Sequence, residues 1–440
     1  MKKIVCLLVF NLIASCIYSQ ENAEKSLSTA EKIIGLSKCW SEVKYNFVYF
    51  DQLPFDWDSL YRAAIPVVMA TKNNFEYYRE LQRFIASLKD GHTQVSFPRE
   101  LWKNWSTIPL TTKFIDNKMI VLSVLNDTLE QMGIKRGLEV IGINGTNVHE
   151  YVSTKIKPYV HSSTEQWLNL RAYGREATRG VRSEEIHLTF KDNNGKIFER
   201  SISRSLSEKD LKPQPLFDFK MIDGTIGLLK IRSFWGNDYI RQFDSIYTCI
   251  NEADVNALII DIRGNEGGNS NYSAYILSHL TGKSFKMSDW SSPLYIPAHA
   301  SWNYPKEWYS QKSYDYSPVK GKTIFDKPVA LLINEGTFSA AEDFCVGFRN
   351  MKRGLIIGTP SGGSTGNPIG FDLPGGGWLQ ICTKKDTYPD GTEFVGAGIR
   401  PDVEVKETVS SYLSTVQPDS DHSLAKEKAI QALKSNIQKK

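Results

Sequence analysis

The first hundred residues carry apolar side chains three and four positions apart, which predicts amphipathic helices. The spacing is clearest in two segments, AEKIIGLSKCWSEVKYNF and FEYYRELQRFIASL. From about residue 105 the pattern changes to alternation over short runs such as KMIVLSVL and EIHLTFK, which predicts strands with one buried face. Asn193-Asn194-Gly195 follows one of these runs and predicts a hairpin turn. We therefore expect a helical segment followed by a β-rich segment.

Beyond residue 220 unbroken apolar runs alternate with amphipathic segments. Strands that helices cover on both faces are expected to be apolar at nearly every position. Four runs have this character: GTIGLLKI, ALIIDIR, PVALLIN and GLIIG. Helices are predicted between them by the segments RQFDSIYTCINEA, YSAYILSHL and SAAEDFCVGFRNM. This order predicts an α/β domain with a boundary near Pro213 and Pro215. The tail, SLAKEKAIQALKSNIQK, predicts a surface helix without chemistry.

The composition is that of a folded protein, with 41% hydrophobic and 23% charged residues. The length of 440 residues predicts two or three domains. The formal net charge is only +4, and no basic stripe is interleaved with aromatic residues, so nucleic acid is not expected as a partner. The cysteines beyond the first twenty residues are far apart and show no zinc-ligand spacing, so we interpret them as isolated buried thiols.

The N-terminal segment MKKIVCLLVFNLIASCIYSQ has a basic start, a short apolar stretch and small polar residues at its end. This pattern is typical of a secretory signal. Cleavage near Ser19 or Gln20 would release a soluble exported protein. The stretch Ile-Ala-Ser-Cys also matches a lipoprotein signal, which would leave Cys16 as a lipid anchor. No later apolar run is long enough to cross a bilayer.

The stretch NEGTFSAAEDF places Ser339 between the end of a predicted strand and the start of a predicted helix. Ligands of open α/β folds bind at the carboxyl ends of strands, and a helix N-terminus can stabilise a developing oxyanion. Ser339 and Glu342 also have the spacing of a capping box, which requires no catalysis. This stretch alone leaves both interpretations open.

A nucleophilic serine needs a base, and the chain has seven histidines. His92 lies in SLKDGHTQVSF, on a predicted turn between a helix and a strand, where its ring would be fixed. A turn histidine without a catalytic role is the alternative interpretation. His299, in the loop IPAHASW, is a second candidate.

A glycine-rich stretch, DIRGNEGG, follows the strand ALIIDIR. Its glycines, including Gly267 and Gly268, allow the backbone to approach a ligand and direct N–H groups at it. A phosphate loop is the competing interpretation, but the stretch lacks both the Gly-Lys-Ser/Thr ending and the G-x-G-x-x-G pattern. A further loop, GTPSGGSTGNPIGF, follows the next strand and suits a substrate groove.

Taken together, these motifs resemble those of the C-terminal processing (tail-specific) serine peptidases. The segments that carry the resemblance, in order, are DIRGNEGG, GTFSAAEDF, IGTPSGGSTGNP and VGAGIRPDVEV. LKDGHTQV resembles the tricorn-like branch of this family, which uses histidine as the base. MGIKRGLEVIGINGTNV resembles the carboxylate-binding half of a PDZ domain. The resemblance implies an α/β catalytic domain with crotonase-like β–α units, an N-terminal helical domain and a PDZ-like β-rich domain.

The domain boundaries that we expect combine this resemblance with the hydrophobic pattern. They are a signal peptide at 1–20, a helical domain at 21–104, a PDZ-like domain at 105–207, a serine peptidase catalytic domain at 208–410 and a tail helix at 411–440.

The resemblance also implies roles for individual residues. Ser339 matches the nucleophile, and the N–H groups of Ala340 and of the Gly267-Gly268 turn match the oxyanion hole. Glu342 matches an acidic position that supports the site.

The base and its partner follow from the same resemblance. Ser364 stands where the lysine-using branch carries its lysine, so His92 is the expected base. The position expected for the glutamate that orients the imidazole aligns with Val395, and Glu393, two residues earlier, is the candidate for that role. Asp90 is a further candidate.

We therefore expect an exported serine endopeptidase that acts on C-terminal regions of peptides or unfolded proteins, in the bacterial periplasm, cell envelope or medium. No metal or organic cofactor is implied. An inactive peptide-binding protein on the same scaffold is the alternative, and an esterase or amidase shares the chemistry. With an ordinary pKa of about 6.5 for His92, activity is expected to rise between about pH 6 and 8.

Overall fold

The computed structural model describes residues 26–209, 213–222, 224–413 and 423–438. The expected signal peptide and Cys16 lie outside these residues. Of the helices within these ranges, none has the length and apolar character needed to cross a membrane. Of the four cysteines that are described, Cys39, Cys345 and Cys382 are buried, whereas Cys249 is exposed.

The first unit is helical, as the apolar spacing predicts. Its elements are α1 (Thr29–Asn46), α2 (Trp57–Met69), α3 (Asn74–Ala86), β1 (Gln94–Ser96) and α4 (Arg99–Lys103). Ser28 and Glu31 form a capping box that starts α1. The buried faces of the three long helices pack around Leu36, Tyr77 and Leu81, which are fully buried.

The second unit is a β-rich body with its own core around Val121, Val140 and Phe190. Its strands are β2 (Trp105–Ser106), β3 (Leu110–Ile115), β4 (Lys118–Val124), β5 (Glu139–Ile143), β6 (Thr146–Asn147), β7 (Gly180–Val181), β8 (Glu185–Lys191) and β9 (Ile197–Ser203). Its helices are α5 (Asp127–Gln131), α6 (Val148–Tyr151) and α7 (Glu165–Arg171). The main antiparallel sheet has the order β3-β4-β5-β8-β9, and the predicted hairpin joins β8 to β9.

The third unit is the predicted α/β domain. Its strands are β10 (Phe217–Ile222), β11 (Ile226–Ile231), β12 (Ala257–Asp261), β13 (Asp289–Leu294), β14 (Glu307–Gln311), β15 (Val329–Ile333), β16 (Gly354–Gly358), β17 (Ile369–Leu373), β18 (Gly377–Ile381), β19 (Lys385–Thr387) and β20 (Val403–Glu404). Its helices are α8 (Tyr239–Glu252), α9 (Ser270–Leu277), α10 (Pro297–Ser301), α11 (Ala340–Asn350), α12 (Val409–Leu413) and α13 (Leu424–Gln438). The central sheet has the order β10-β11-β12-β15-β16-β20 and is parallel from β11 onward.

The central sheet is covered on both faces, which explains why its strands read as unbroken apolar runs. One set of strand side chains packs with α8, α9 and α11, and the alternate set packs with α13. Ala425, Ala429 and Leu433 of α13 are buried against the sheet. The predicted tail helix is present as α13, and one face of it packs on the central sheet while the other is exposed.

A long-range strand pairing joins the third unit to the first. β17 and β18 lie late in the chain, yet they form a sheet with β1 in the order β1-β18-β17. The Tyr78 hydroxyl of α3 donates to the Pro374 carbonyl at 2.5 Å and accepts from the Gly377 N–H at 2.9 Å. His92 lies two residues before β1, so this pairing fixes where the imidazole lies relative to the central sheet.

The sheet formed by β14, β13 and β19 was not predicted from the sequence. Pro293 lies within β13, and Pro297 begins α10 in the connection to β14, so prolines interrupt the local strand signal. Trp308 and Tyr309 on β14 are 42% and 51% exposed, so the strand shows no buried apolar face either.

The burial of α13 leads to a stability prediction. Leu433→Ala removes a side chain that is 1% exposed, so we expect the free energy of unfolding in urea to fall. The expected loss is about 2–4 kcal/mol, as for other large-to-small core substitutions. Lys428→Ala, on the exposed face of the same helix, is the control and should change the value by less than about 0.5 kcal/mol. Equal effects of the two substitutions would contradict the packing of α13 on the sheet.

Candidate active site

Ser339 lies on a strained turn between β15 and α11. Its backbone has φ 56° and ψ −124°, a region that non-glycine residues seldom adopt. The turn is pinned by side chains, because Thr337 Oγ1 donates to the Ile262 carbonyl at 3.0 Å and Asn334 Oδ1 accepts from the Gly264 N–H at 2.9 Å. The strain is thus held by the surrounding structure, and it displays the Ser339 hydroxyl at the start of the helix.

The Ser339 hydroxyl, the His92 imidazole and the Ser364 hydroxyl form a row. His92 Nε2 lies 3.0 Å from Ser339 Oγ, and His92 Nδ1 lies 2.8 Å from Ser364 Oγ. The tautomer with the proton on Nδ1 would donate to Ser364 and leave Nε2 free to accept from Ser339. The Phe338 ring stacks on the imidazole at a centroid distance of 4.7 Å, and Trp167 stacks on Phe338 at 4.2 Å.

The turn that carries His92 is fixed by its own hydrogen bonds. Asp90 Oδ1 accepts from the His92 N–H at 3.0 Å and from the Thr93 hydroxyl at 2.8 Å. Gln380 Nε2 donates to the His92 carbonyl at 3.0 Å. Burial raises the pKa of Asp90 to about 6, although these donors lower it. Asp90 was our further candidate for orienting the imidazole. Its carboxyl group bonds the backbone N–H of His92 and the Thr93 hydroxyl, so it holds the turn.

Glu342 binds both serines of the row through their backbones. Its carboxylate accepts from the Ser339 N–H at 3.2 Å and from the Ser364 N–H at 2.9 Å. It also accepts from the Ser361 hydroxyl and from the Gly363 N–H, at 2.5 and 2.8 Å. The Ser339 N–H thus bonds Glu342, as expected of a capping pair, while the Ser339 hydroxyl contacts His92. Burial raises the pKa of Glu342 to about 8, while its four donors lower it.

The glycine turn packs directly against the Ser339 backbone. A Cβ on Gly267 would lie 2.7 Å from the Phe338 carbonyl oxygen and 2.8 Å from the Ala340 nitrogen, so only glycine fits there. The Gly267 N–H already donates to Asn265 Oδ1 at 2.9 Å. Across the described ranges, the N–H groups of Gly268 and Ala340 donate to no protein acceptor. Of the three expected oxyanion donors, the Gly268 and Ala340 N–H groups are therefore available, whereas the Gly267 N–H is not. Gly267 instead allows the glycine turn to pack against the Ser339 backbone.

Glu393 is not brought to the imidazole, which corrects the prediction that it orients His92. Its side chain is 56% exposed and pairs with Lys385. The ring nitrogen that it was expected to contact is bonded to Ser364. The second histidine candidate, His299, lies in α10 and faces Glu307 at 3.4 Å.

Burial changes the expected titration of His92. The side chain is 7% exposed, and burial lowers its pKa to about 3, with positive charge at His161 and Lys384 acting in the same direction. The expectation that His92 loses a proton between pH 6 and 8 was based on an ordinary pKa and is corrected. The imidazole is neutral throughout that range.

The loop that resembles a carboxylate-binding element contacts another part of the chain. Arg136 Nη2 donates to the Tyr412 carbonyl at 2.7 Å, and its guanidinium lies 4.8 Å from the Tyr412 ring centre. A Cβ on Gly137 would lie 3.1 Å from Leu413. The segment α12 therefore covers this loop. No group of three or more His, Cys, Asp or Glu side chains suited to a metal ion occurs among the described residues.

A buried neutral imidazole between two hydroxyls, beside two N–H groups without a protein acceptor, is an arrangement that serine hydrolases use. Comparison with known proteins agrees. Residues 225–405 match the model of peptidase family S41. The chain is 22% identical over 405 residues to the "Carboxy-terminal processing protease CtpA" of Bacillus subtilis, covering 90% of this chain and 74% of that protein. Residues 225–405 therefore match peptidase family S41, and the named relatives support a serine peptidase.

A second relative and two solved structures are also similar to this chain. The "Probable CtpA-like serine protease" of Staphylococcus epidermidis is 23% identical over 261 residues, which is 58% of this chain and 50% of that protein. The chain thus spans about half the length of this relative. Mature CPAF, solved in complex with lactacystin, superposes with a TM-score of 0.69 at 15% identity, covering 93% of this chain and 97% of that one. The photosystem II D1 C-terminal processing protease gives 0.51 at 15% identity, covering 88% and 94%. At these identities the structures support the fold alone.

The lowered pKa of His92 can be measured directly. Ring nitrogen resonances in long-range ¹H–¹⁵N spectra, assigned with a His92→Gln variant, should show a neutral His92 from pH 8 down to about pH 4. Because the unfolded chain binds this proton near pH 6.5 and the folded chain does not, the free energy of unfolding of the wild type, measured relative to that of His92→Gln, should fall as pH decreases from about 6.5 toward 3. Taking this difference removes the opposite contributions of Asp90 and Glu342, whose pKa values burial raises. A His92 titration near pH 6.5 would contradict the burial argument.

Proposed function

We propose that this chain is an exported serine endopeptidase that hydrolyses peptide bonds through an acyl-enzyme, with Ser339 as the nucleophile and His92 as the base. The observation that carries the proposal is the 3.0 Å contact between Ser339 Oγ and His92 Nε2, which joins residues from two distant parts of the chain. A neutral imidazole at this distance can accept the hydroxyl proton.

In the first half of the reaction, His92 Nε2 takes the Ser339 proton while Oγ attacks the scissile carbonyl carbon. The carbonyl oxygen becomes an oxyanion that accepts from the Gly268 and Ala340 N–H groups. When the tetrahedral intermediate collapses, the C–N bond breaks and Nε2 returns the proton to the leaving amine. The acyl group remains as an ester on Ser339 until a water molecule, deprotonated by His92, attacks it. The ester C–O bond then breaks, His92 returns the proton to Ser339 Oγ, and the acid product leaves.

Ser364 is the positioning residue for the base. Its hydroxyl fixes the Nδ1–H tautomer and the ring orientation, and it accepts a charge-assisted hydrogen bond when the imidazolium forms. Glu342 places this hydroxyl, because it binds the Ser364 N–H as well as the Ser339 N–H. A hydroxyl lacks the charge of a carboxylate, so the imidazolium receives less stabilisation than it would from an aspartate or glutamate partner.

Peptides are the substrate class that the resemblance and the surroundings of the site favour. A cavity of about 910 Å³ runs along β3, which is an edge strand of the main sheet of the second unit. The cavity extends to Glu266, beside the glycine turn, and to Asn334 and Glu335, beside the turn that carries Ser339. An extended peptide can pair with the free edge of such a strand. We place peptide entry at β3, because α12 covers the Arg136–Gly137 loop.

The division of the chain and its location are parts of the same proposal. We keep a helical domain at 21–104, a PDZ-like domain at 105–207, a catalytic domain at 208–410 and a tail at 411–440. The apolar N-terminal segment supports export to the periplasm, envelope or medium, either as a soluble protein or with a lipid anchor at Cys16. The substrates are peptides and unfolded proteins, cut toward their C-terminal ends.

Hydrolysis tests the two reacting residues together. Ser339→Ala and His92→Ala should each lower kcat for an unstructured polypeptide by at least ~10³-fold, and the double variant should lose little more, because the two act as a unit. Released fragments are measured by mass spectrometry, with circular dichroism confirming that the variants fold. Hydrolysis by the wild type that survives in either variant would refute the assignment.

The roles of Ser364 and Glu393 separate in a second test. Ser364→Ala should lower kcat by about 10- to 100-fold with little change in KM, because a hydrogen bond to the charged imidazolium is worth about 1.5–3 kcal/mol and forms in the transition state. Glu393→Gln, which removes an exposed charge, is the control and should retain wild-type kcat. The reverse ranking would restore Glu393 as the partner of His92 and remove Ser364 from that role.

A further inference from the structure

A second cavity, of about 570 Å³, lies between α3, β1 and the segment 151–179 of the second unit. We call it the basic cavity because its lining carries five cationic side chains and one carboxylate. The six residues are Arg79, Arg99, Lys155, Arg171, Arg179 and Glu176. The lining therefore carries a formal excess of positive charge of +4, as large as the formal net charge of all 440 residues.

Glu176 in the lining and Glu266 outside it pair with only two of the five cations, so the basic cavity is not neutralised. Glu176 lies 3.1 Å from Arg179 and 3.8 Å from Arg171. Arg79 donates to the Gln82 side chain at 3.0 Å and lies over the Tyr159 ring at 3.6 Å. Within the described ranges Arg79 has no carboxylate at ion-pair distance, and the same holds for Arg99 and Lys155 in the cavity lining.

The half-buried guanidiniums would gain from an added anion. Burial lowers the pKa of Arg79 and Arg179, which shows that these charges have lost part of their hydration without full compensation. Guanidinium groups stacked on aromatic rings are pre-organised to bind carboxylates with two parallel hydrogen bonds. Trp102 supports Arg179 in the same way, at 4.6 Å from its ring centre.

The basic cavity adjoins the reacting groups. Gln94, two residues after His92, lines it, and so does His161, whose pKa burial lowers to about 4. Arg171 also lines it and lies 3.6 Å from Glu266, the residue before the Gly267 turn. Arg171 also lines the 910 Å³ cavity, so a peptide that enters along β3 reaches the edge of the basic cavity.

We propose that the basic cavity binds a carboxylate of the substrate, so that the enzyme selects peptides with an acidic group near the scissile bond. The proposal rests on the proposed peptidase function, since the anion is part of the peptide. An Asp or Glu side chain and a free C-terminal carboxylate offer the same chemistry. The basic cavity would thus select among peptide sequences, which the row of Ser339, His92 and Ser364 does not do.

Binding to the Ser339→Ala protein tests the proposal without hydrolysis. Isothermal titration calorimetry compares three hexapeptides of otherwise equal sequence: one with an internal Glu and a C-terminal amide, one with Gln and a free C-terminus, and one with Gln and an amide. At least one acidic peptide should bind about tenfold more tightly than the neutral one at low salt, with the advantage shrinking at 0.5 M salt. The tighter of the two identifies the carboxylate source. Equal affinities of all three peptides would overturn the proposal.

Variants locate the effect within the cavity. Arg79→Gln should reduce the acidic advantage by about 3- to 10-fold without affecting the neutral peptide. Because Arg79 packs on Tyr159, the exposed Lys155→Gln serves as a second variant that leaves this packing intact. Arg83→Gln, one turn further along α3 and outside the cavity, is the matched control. An acidic advantage that survives both cavity variants would refute the site.

The two proposals fail in different ways. If the wild-type protein releases no peptide fragments while Ser339→Ala still prefers acidic peptides through Arg79, the hydrolytic function is wrong and the carboxylate site stands. If the wild type cleaves neutral and acidic peptides with equal kcat/KM and Ser339→Ala binds them equally, the carboxylate site is wrong and the hydrolytic function stands.

Discussion

The pairing of β1 with β18 is the contact on which the candidate site depends. Three residues of β1, Gln94–Ser96, pair with Trp378–Gln380, almost three hundred residues later in the chain. This register fixes the turn that precedes β1, and Gln380 also bonds the His92 carbonyl. The imidazole therefore reaches Ser339 only when the helical first unit is docked on the α/β unit. Because so many residues separate the paired strands, closing this contact costs chain entropy that the packing of both units must offset.

Around this contact, the site is built from neutral groups. A buried imidazole has no carboxylate at Nδ1, and burial keeps it neutral over the whole physiological range. The carboxyl group of Glu342, whose pKa burial raises to about 8, instead holds the backbone amides of Ser339 and Ser364, and through them the two hydroxyls that flank the ring. Geometry, strain at Ser339 and oriented N–H groups replace the charged partner. This arrangement lowers the cost of burying the site and leaves the positive charge to form only during reaction.

Much of the fold was accessible from the sequence because the signals are local. The period of apolar residues predicts α1, α3 and the strands of the central sheet, and the motifs predict Ser339 and His92. The sequence does not reveal the partner of Nδ1, because Ser364 and Glu393 are both polar loop residues. Only tertiary contacts decide between them, since the Ser364 N–H bonds Glu342 whereas Glu393 pairs with Lys385. The same holds for Gly267, whose N–H is taken by Asn265, and for the pKa of His92, which burial determines. The face of α13 that packs on the sheet differs little in composition from a solvated helix.

The central claim is that the Ser339 hydroxyl is activated by the His92 imidazole. Mass spectrometry after exposure of the intact protein to a fluorophosphonate measures this most directly, because the reagent modifies only an activated serine. We predict one adduct, on the peptide that contains Ser339, formed at least ~100-fold more slowly when His92 is replaced by alanine. No adduct at Ser339, or an adduct that forms as fast without the imidazole, would contradict the account.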